Sequence, residues 1–236
     1  MLTARRFLIP AVAGLLTVCS QAYAEDQKTI FKDDFNRADA DSAGDGWTTR
    51  GDAVVKDKAA FFKLMDAEFR PRMKHSFPVQ KEGTFTVSFL MDWLRDNEGT
   101  WGFFMQLGNS EAMPKSLVYD KDLAKGIGVN LVWGGGDLVD YQDAGSFGYY
   151  KGGKFTSLFV ANDVQSGDSV VKKPVVTIEV NVDAGTYSLS FNGKTYPNLP
   201  FDNKGPIDTV RFTTHLCSVT GFTKTSIDDL VISQEK

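Results

Sequence analysis

From residue 28 onward, apolar and polar positions alternate in short runs broken by Gly, Asn and Asp, and no long segment carries a helical period. Alternation with period two puts successive side chains on opposite faces of a strand, so the pattern predicts half-buried strands. The clearest are Thr84 to Leu94, Trp101 to Leu107, Gly126 to Trp133, Lys154 to Val160, Val175 to Val182, Thr186 to Phe191, Ile207 to Phe212 and Ser226 to Ile232. Asp183-Ala184-Gly185 joins two of these as a hairpin, and Asn192-Gly193 makes a second turn. Only Ser110 to Lys125 has room for a helix, kept short by Pro114 and Gly126. With no repeat, linker or low-complexity tract, the expectation is one all-β, two-sheet antiparallel sandwich over residues 28–236.

The first 24 residues follow another logic. Arg5 and Arg6 precede an apolar stretch from Phe7 to Val18, and Ala22-Tyr23-Ala24 forms a small-x-small site, the three parts of a secretory signal peptide. The apolar stretch is too short to span a bilayer, so no transmembrane segment is expected. Leu16-Thr17-Val18-Cys19 is a poor lipoprotein box because Val stands where a small residue is needed, and soluble export with a mature start at Glu25 is favoured. The expected location is secreted or periplasmic. Cys217, the thiol that remains, follows an apolar strand and is read as buried and inert.

Charge then narrows the partners. The chain of 236 residues has 26 Lys and Arg against 30 Asp and Glu. Removing the leader takes away two of the basic residues and none of the acidic ones, leaving a net charge of −6. No basic excess exists to neutralise a phosphate backbone, so nucleic acid is not the expected partner. Two His and two Cys rule out a zinc ribbon, a disulfide framework and a three-histidine metal site.

Two end segments carry a resemblance. Phe31-Lys32-Asp33-Asp34-Phe35-Asn36-Arg37-Ala38-Asp39 with Gly46-Trp47, and Ser226-Ile227-Asp228-Asp229-Leu230-Val231-Ile232, resemble the opening and closing strands of secreted bacterial domains of the concanavalin A-like lectin/glucanase superfamily, laminin-G-like jelly rolls among them. The hairpin from Val176 to Lys194 resembles a strand-turn-strand unit common there. The resemblance implies a jelly roll whose terminal strands lie side by side. It also implies a structural calcium held by Asp34, Asp229 and the Asp45-Gly46 backbone, with the alternative that these acids cap turns and face water. Because the fold carries lectins, glycosidases, polysaccharide lyases and non-catalytic modules, it does not select an activity.

Glu179-Val180-Asn181-Val182-Asp183 invites comparison with the Glu-x-Asp-x-Glu strand of retaining glucanases on this fold. Retaining hydrolysis needs two carboxyl groups about 5–5.5 Å apart, and same-face neighbours on a strand are about 6.6 Å apart along the chain. Here Asn181 occupies the central acid position and Asp183 lies in the turn, so the stronger reading is a solvated strand face opposite Val176, Ile178, Val180 and Val182.

A polar shelf is the more promising feature. Arg72 and Lys74 fall on the outward phase of Phe69 to Phe77, Asp92 on that of Thr84 to Leu94, Gln106 on that of Trp101 to Leu107 and Asn130 on that of Gly126 to Trp133. If these strands are adjacent, Arg72, Lys74, Asp92, Gln106 and Asn130 together supply the amides, carboxylate and guanidinium donors that recognise sugar hydroxyls or uronate carboxylates. The plainer reading is the wet face of an antiparallel sheet. Tyr141, Phe147, Tyr149 and Tyr150 lie in the Gly-rich stretch Gly134 to Gly153, a candidate binding loop whose tyrosines would stack on sugar rings. Polysaccharide lyases of this fold use an Arg, a Gln, a His and a Tyr, and Arg72, Gln106, His75 and Tyr149 could supply those types, although His75 is on the inward phase.

The leading expectation is an exported, non-catalytic module that binds a carbohydrate or polysaccharide through Arg72, Lys74, Asp92, Gln106, Asn130, Tyr141, Tyr149 and Tyr150. A glycosidase or polysaccharide lyase on the same scaffold is the alternative, and a structural or adhesion module of the cell envelope is a third.

Overall fold

The computed structural model describes residues 27–64, 71–95, 100–113, 126–133, 146–152, 154–160, 175–191, 193–201, 205–218 and 223–235. These form β1 (Gln27–Asp33), β2 (Thr48–Arg50), β3 (Ala53–Lys56), β4 (Ala59–Leu64), β5 (Arg72–Gln80), β6 (Thr84–Arg95), β7 (Thr100–Gly108), β8 (Ile127–Trp133), β9 (Ser146–Lys151), β10 (Lys154–Val160), β11 (Val175–Asn181), β12 (Thr186–Phe191), β13 (Lys194–Pro200), β14 (Ile207–Ser218) and β15 (Thr223–Glu235). One sheet runs β13-β12-β11-β6-β15-β4-β3, with β1 also paired to β15, and the other runs β10-β9-β8-β7-β14-β5-β2. All pairings are antiparallel, so the architecture is the expected all-β jelly-roll sandwich.

Alternation sets which face each strand buries. On β11 the burial follows the sequence period, with Val176, Ile178 and Val180 inside and Glu179 and Asn181 exposed. Phe85, Val87, Phe89 and Met91 of β6 face Met73, Phe77, Met105, Leu107 and Phe212 of the other sheet across the core. Aromatic rings lock the two layers together: Phe62 meets Phe103 at 5.4 Å, Phe89 meets Phe212 at 5.2 Å and Phe147 meets Phe191 at 4.5 Å between centroids. Each such ring contributes about 1.5–3 kcal/mol through burial alone, which is how a chain so rich in Phe closes a sandwich without a disulfide among its described residues.

β15 is the longest strand and the seam of its sheet. Its first half pairs with β4 through Thr223 to Ile227, and its second half pairs with β1 through Leu230 to Glu235. The change of partner coincides with a register shift against β6 between Asp228 and Val231, where Asp229 takes φ 48°. An extra residue in a left-handed conformation bends the strand toward its new neighbour. Gly126 enters β8 with φ 134°, where a Cβ would come 2.2 Å from the Leu107 carbonyl oxygen, so only glycine lets the chain pass β7 there.

One expected loop differs. Gly134 to Gly153 was expected to be a loop, yet Ser146 to Lys151 is strand β9, paired to β8 and β10. Its aromatics favour the pleated surface and fill both of its faces. In the segment with room for a helix the described part is a turn: the Asn109 carbonyl accepts from Ala112 and Met113, and the Asn109 side chain accepts from the Glu111 amide. The remainder of that segment, residues 1–24 read as a signal peptide, and Phe69 lie outside the described residues.

Candidate functional site

The seven-stranded sheet has an outer face of unusual character. Behind Met73, Met105 and Phe212, which point into the core, the alternate positions of the same strands hold Lys74, Gln106 and Arg211. In register, Thr48 pairs with Lys74, Lys74 with Arg211, Arg211 with Gln106, Gln106 with Gly128, and Gly128 with Tyr150, so one row crosses six strands. The next row runs Arg50, Arg72, Thr213, Phe104, Asn130 and Gly148. The expected shelf is therefore present in part: Arg72, Lys74 and Gln106 share the face, and Asn130 takes a register position beside Phe104.

This face is not simply wet. Gln106 is fully buried, Arg211 is 3% exposed, and Thr209, Thr213, Phe104 and Tyr150 are buried with them. The Arg211 guanidinium donates to the Gln106 side-chain oxygen, and the Thr213 hydroxyl donates to the Pro71 carbonyl at 3.2 Å. The segment after β7 is drawn over the sheet by Asp208, whose carboxylate accepts from the Ser110 amide at 2.7 Å and from the Ser110 hydroxyl at 2.8 Å. Between that segment and strands β2, β5 and β14 lies a cavity of about 450 Å³ lined by Thr48, Arg72, Lys74, Ser110, Glu111, Met113 and Arg211. Its size is that of a small-ligand site, about 300–1,000 Å³. Burial, followed by the like charge of Arg50, holds the Arg72 guanidinium below its ordinary proton affinity.

Several expected members stand elsewhere. Asp92 lies on β6, paired with Ser226 in the other sheet, because β6 and β7 are consecutive in sequence but belong to different layers. Tyr149 pairs with Val129, which is buried in the core, and packs against the core from that side; Tyr150, one residue on, takes the outer face and lies 6.1 Å from Phe104. Tyr149 therefore does not share a face with Arg72 and Gln106, and Tyr150 is buried rather than offered for stacking. Tyr141 lies outside the described residues. Arg211, the central cation, was missed; its outward phase between Val210 and Phe212 was the available signal, but only the pairing of β14 with β5 and β7 brings it to the cavity.

The combination matched to lyase chemistry is divided by the same sheet. Arg72 and Gln106 are on the outer face, whereas His75 stacks on Phe31 at 4.0 Å and meets Trp47 edge-on at 5.0 Å on the opposite one. Its Nε2 lies 3.2 Å from the Asp45 carbonyl oxygen. Burial lowers the His75 pKa, against the opposing pull of that carbonyl and of Asp33. Nor do the described cavity residues include two carboxylates, since Glu111 is the only acid among them.

The corner expected to hold calcium is organised around Arg37. As expected, the terminal strands pair, with Asp33 opposite Leu230, so Asp34 and Asp229 follow at the end of the ladder. The buried carboxylate is Asp33, which accepts from Arg37 at 2.8 and 2.9 Å, from the Trp47 indole at 2.8 Å and from the Phe35 amide at 2.8 Å. Arg37 also reaches Asp45 at 3.4 Å. Burial pushes the Asp33 carboxyl up, but the bonds from Arg37, Phe35 and Trp47 outweigh it and hold it below its usual value. Asp34 and Asp229 are exposed, and Asp34 accepts from the Asn36 amide in a local turn. No group of three or more His, Cys, Asp or Glu side chains converges among the described residues. A guanidinium already neutralises the buried acid, Asp33, and the two acids expected as calcium ligands, Asp34 and Asp229, face outward.

No protein-family model matches the chain, and no curated protein sequence does. Solved structures do. A sialidase is similar with TM-score 0.60 and 11% identity over 87% of this chain, although the match spans 18% of the sialidase. A Bacillus subtilis protein described as having a galectin-like fold is similar with TM-score 0.56 and 11% identity, over 90% of this chain and 99% of that one. The CBM2 module of the evolved Dit of Lactobacillus casei BL23 phage J-1 is similar with TM-score 0.55 and 13% identity, over 89% and 96%. These neighbours share an architecture at identities that carry no activity across. Together with the two sheets, their order and the paired terminal strands, they give this protein the concanavalin A-like jelly-roll fold.

Proposed function

We propose that the protein is an exported, non-catalytic carbohydrate-binding jelly roll. The observation that carries the reading is the cavity on the outer face of the seven-stranded sheet, where Arg72, Lys74 and Arg211 converge with the hydroxyl-bearing Thr48 and Ser110. Charged and hydroxyl groups on one concave surface suit a polyhydroxylated ligand, because each sugar oxygen needs a directed partner to replace water. Similarity to a sialidase and to a module titled CBM2 supports a carbohydrate-related use of the fold. The separation of His75 and Tyr149 from Arg72 and Gln106 weighs against the lyase alternative, and the single acid among the described lining residues weighs against a two-carboxylate glycosidase.

A glycan array with the mature protein tests the reading, with product analysis on each glycan that binds. Binding without new reducing ends or unsaturated products is the expected outcome. Turnover would move the protein to the enzyme alternative, and absence of any glycan binding would favour the structural or adhesion module.

A further inference from the structure

Four cations meet on one side of the seven-stranded sheet. Arg50 is directly opposite Arg72, and Lys74 is directly opposite Arg211. Arg72 and Lys74 are two residues apart on β5, so both line the cavity, into which Arg211 also projects. Like charges at directly opposed positions destabilise a sheet, and the burial of Arg211 leaves less water to screen its pairing with Lys74. This arrangement occurs in a protein whose overall charge is negative. Burial first, and then the like charge of Arg50, lowers the proton affinity of Arg72. Glu111 is the one acid among the described lining residues.

We infer that the cavity takes the negatively charged group of an acidic glycan, a sugar carboxylate or sulfate, beside the Arg72, Lys74 and Arg211 side chains. The inference rests on the carbohydrate reading above and specifies its ligand class. An oxyanion offers planar or tetrahedral oxygens that accept from guanidinium forks and from an ammonium, and its charge offsets the repulsion among them. Arg211 is the preorganised member, since burial and its bond to Gln106 hold the guanidinium at the cavity floor. Lys74 and Arg72, half-buried at the side, remain able to adjust to the ligand. Thr48 and Ser110 are placed for the hydroxyls of the same sugar.

Calorimetric titration of the protein with polygalacturonate and its carboxyl-reduced counterpart, and with dextran sulfate and dextran, tests this directly. One acidic polymer at least should bind while its uncharged counterpart does not; which of the two binds tells carboxylate from sulfate. Affinity should fall as salt is raised. Replacing Arg72→Gln and Lys74→Gln together should weaken binding by at least roughly tenfold, since two charge-assisted bonds to the anion are lost. Should that variant fail to fold, Lys74→Glu alone should show the same loss. Equal binding of the neutral polymers, or acidic-polymer binding that survives these substitutions, would overturn the anionic assignment and leave the carbohydrate reading standing. Equal binding of single-stranded DNA would show a general polyanion site and overturn the sugar component. If no glycan binds at all, both fail.

Discussion

Gln106 accepts a hydrogen bond from the guanidinium of Arg211 on the neighbouring strand, and both side chains are buried on the outer face of the sheet rather than in the core between the sheets. A charged group so placed depends on its acceptor. Gln106→Leu keeps the volume but removes this acceptor, and should cost about 1–3 kcal/mol because a buried charged donor loses one of its hydrogen bonds. In urea unfolding the midpoint should fall with an unchanged slope. A midpoint equal to that of the parent protein would show that the bond contributes nothing.

The Asp33, Arg37 and Trp47 corner ties down the entry of the chain through hydrogen bonds to one buried carboxylate. Arg37→Ala leaves the Asp33 carboxylate buried with one cation fewer, and breaking such a pair costs about 3–5 kcal/mol when it is fully buried, less here because Arg37 is 26% exposed. The melting temperature should drop in this variant. Adding calcium, or EGTA to calcium-treated protein, should leave the melting temperature of the parent unchanged; a rise with calcium would restore Asp34 and Asp229 as ligands, since a ion that binds only the native state stabilises it by mass action.

Acid should destabilise the protein in two separate windows. The folded His75 has its pKa lowered by burial from 6.5, so its contribution is fully present above that value and is lost as pH falls below it. Asp33, also lowered from its ordinary 3.8, contributes above that value and loses its contribution as pH falls through the depressed one. Denaturation followed from pH 7 down to pH 5 should therefore show a slope that His75→Gln flattens. An unaltered slope in that variant would assign the effect to other groups.

Tyr149 and Tyr150 are adjacent in sequence and separated by the sheet. Tyr149→Ala removes a ring packed against the core and should lower stability by about 1–3 kcal/mol, with glycan affinity unchanged in the folded protein. A loss of affinity with no loss of stability would return Tyr149 to the binding surface.

The alternation of apolar and polar residues determined the strands, the buried face of β11 and the all-β class, because period two is a local property that each strand carries in its own sequence. The same alternation placed Arg72, Lys74 and Gln106 outward. It could not say which strands become neighbours. Asp92 has the correct phase and the wrong sheet, while Arg211 has the correct phase and, through pairing with Lys74 and Gln106, the correct place. Likewise, the two pairs of acids at the chain ends were visible, but which carboxylate is buried depended on where Arg37 and Trp47 fold back against β1. Strand order, the switch of β15 from β4 to β1 and the closing of Ser110 over β14 are settled by contacts between residues far apart in the chain. Their energies come from burying two surfaces against each other, and no single segment contains both.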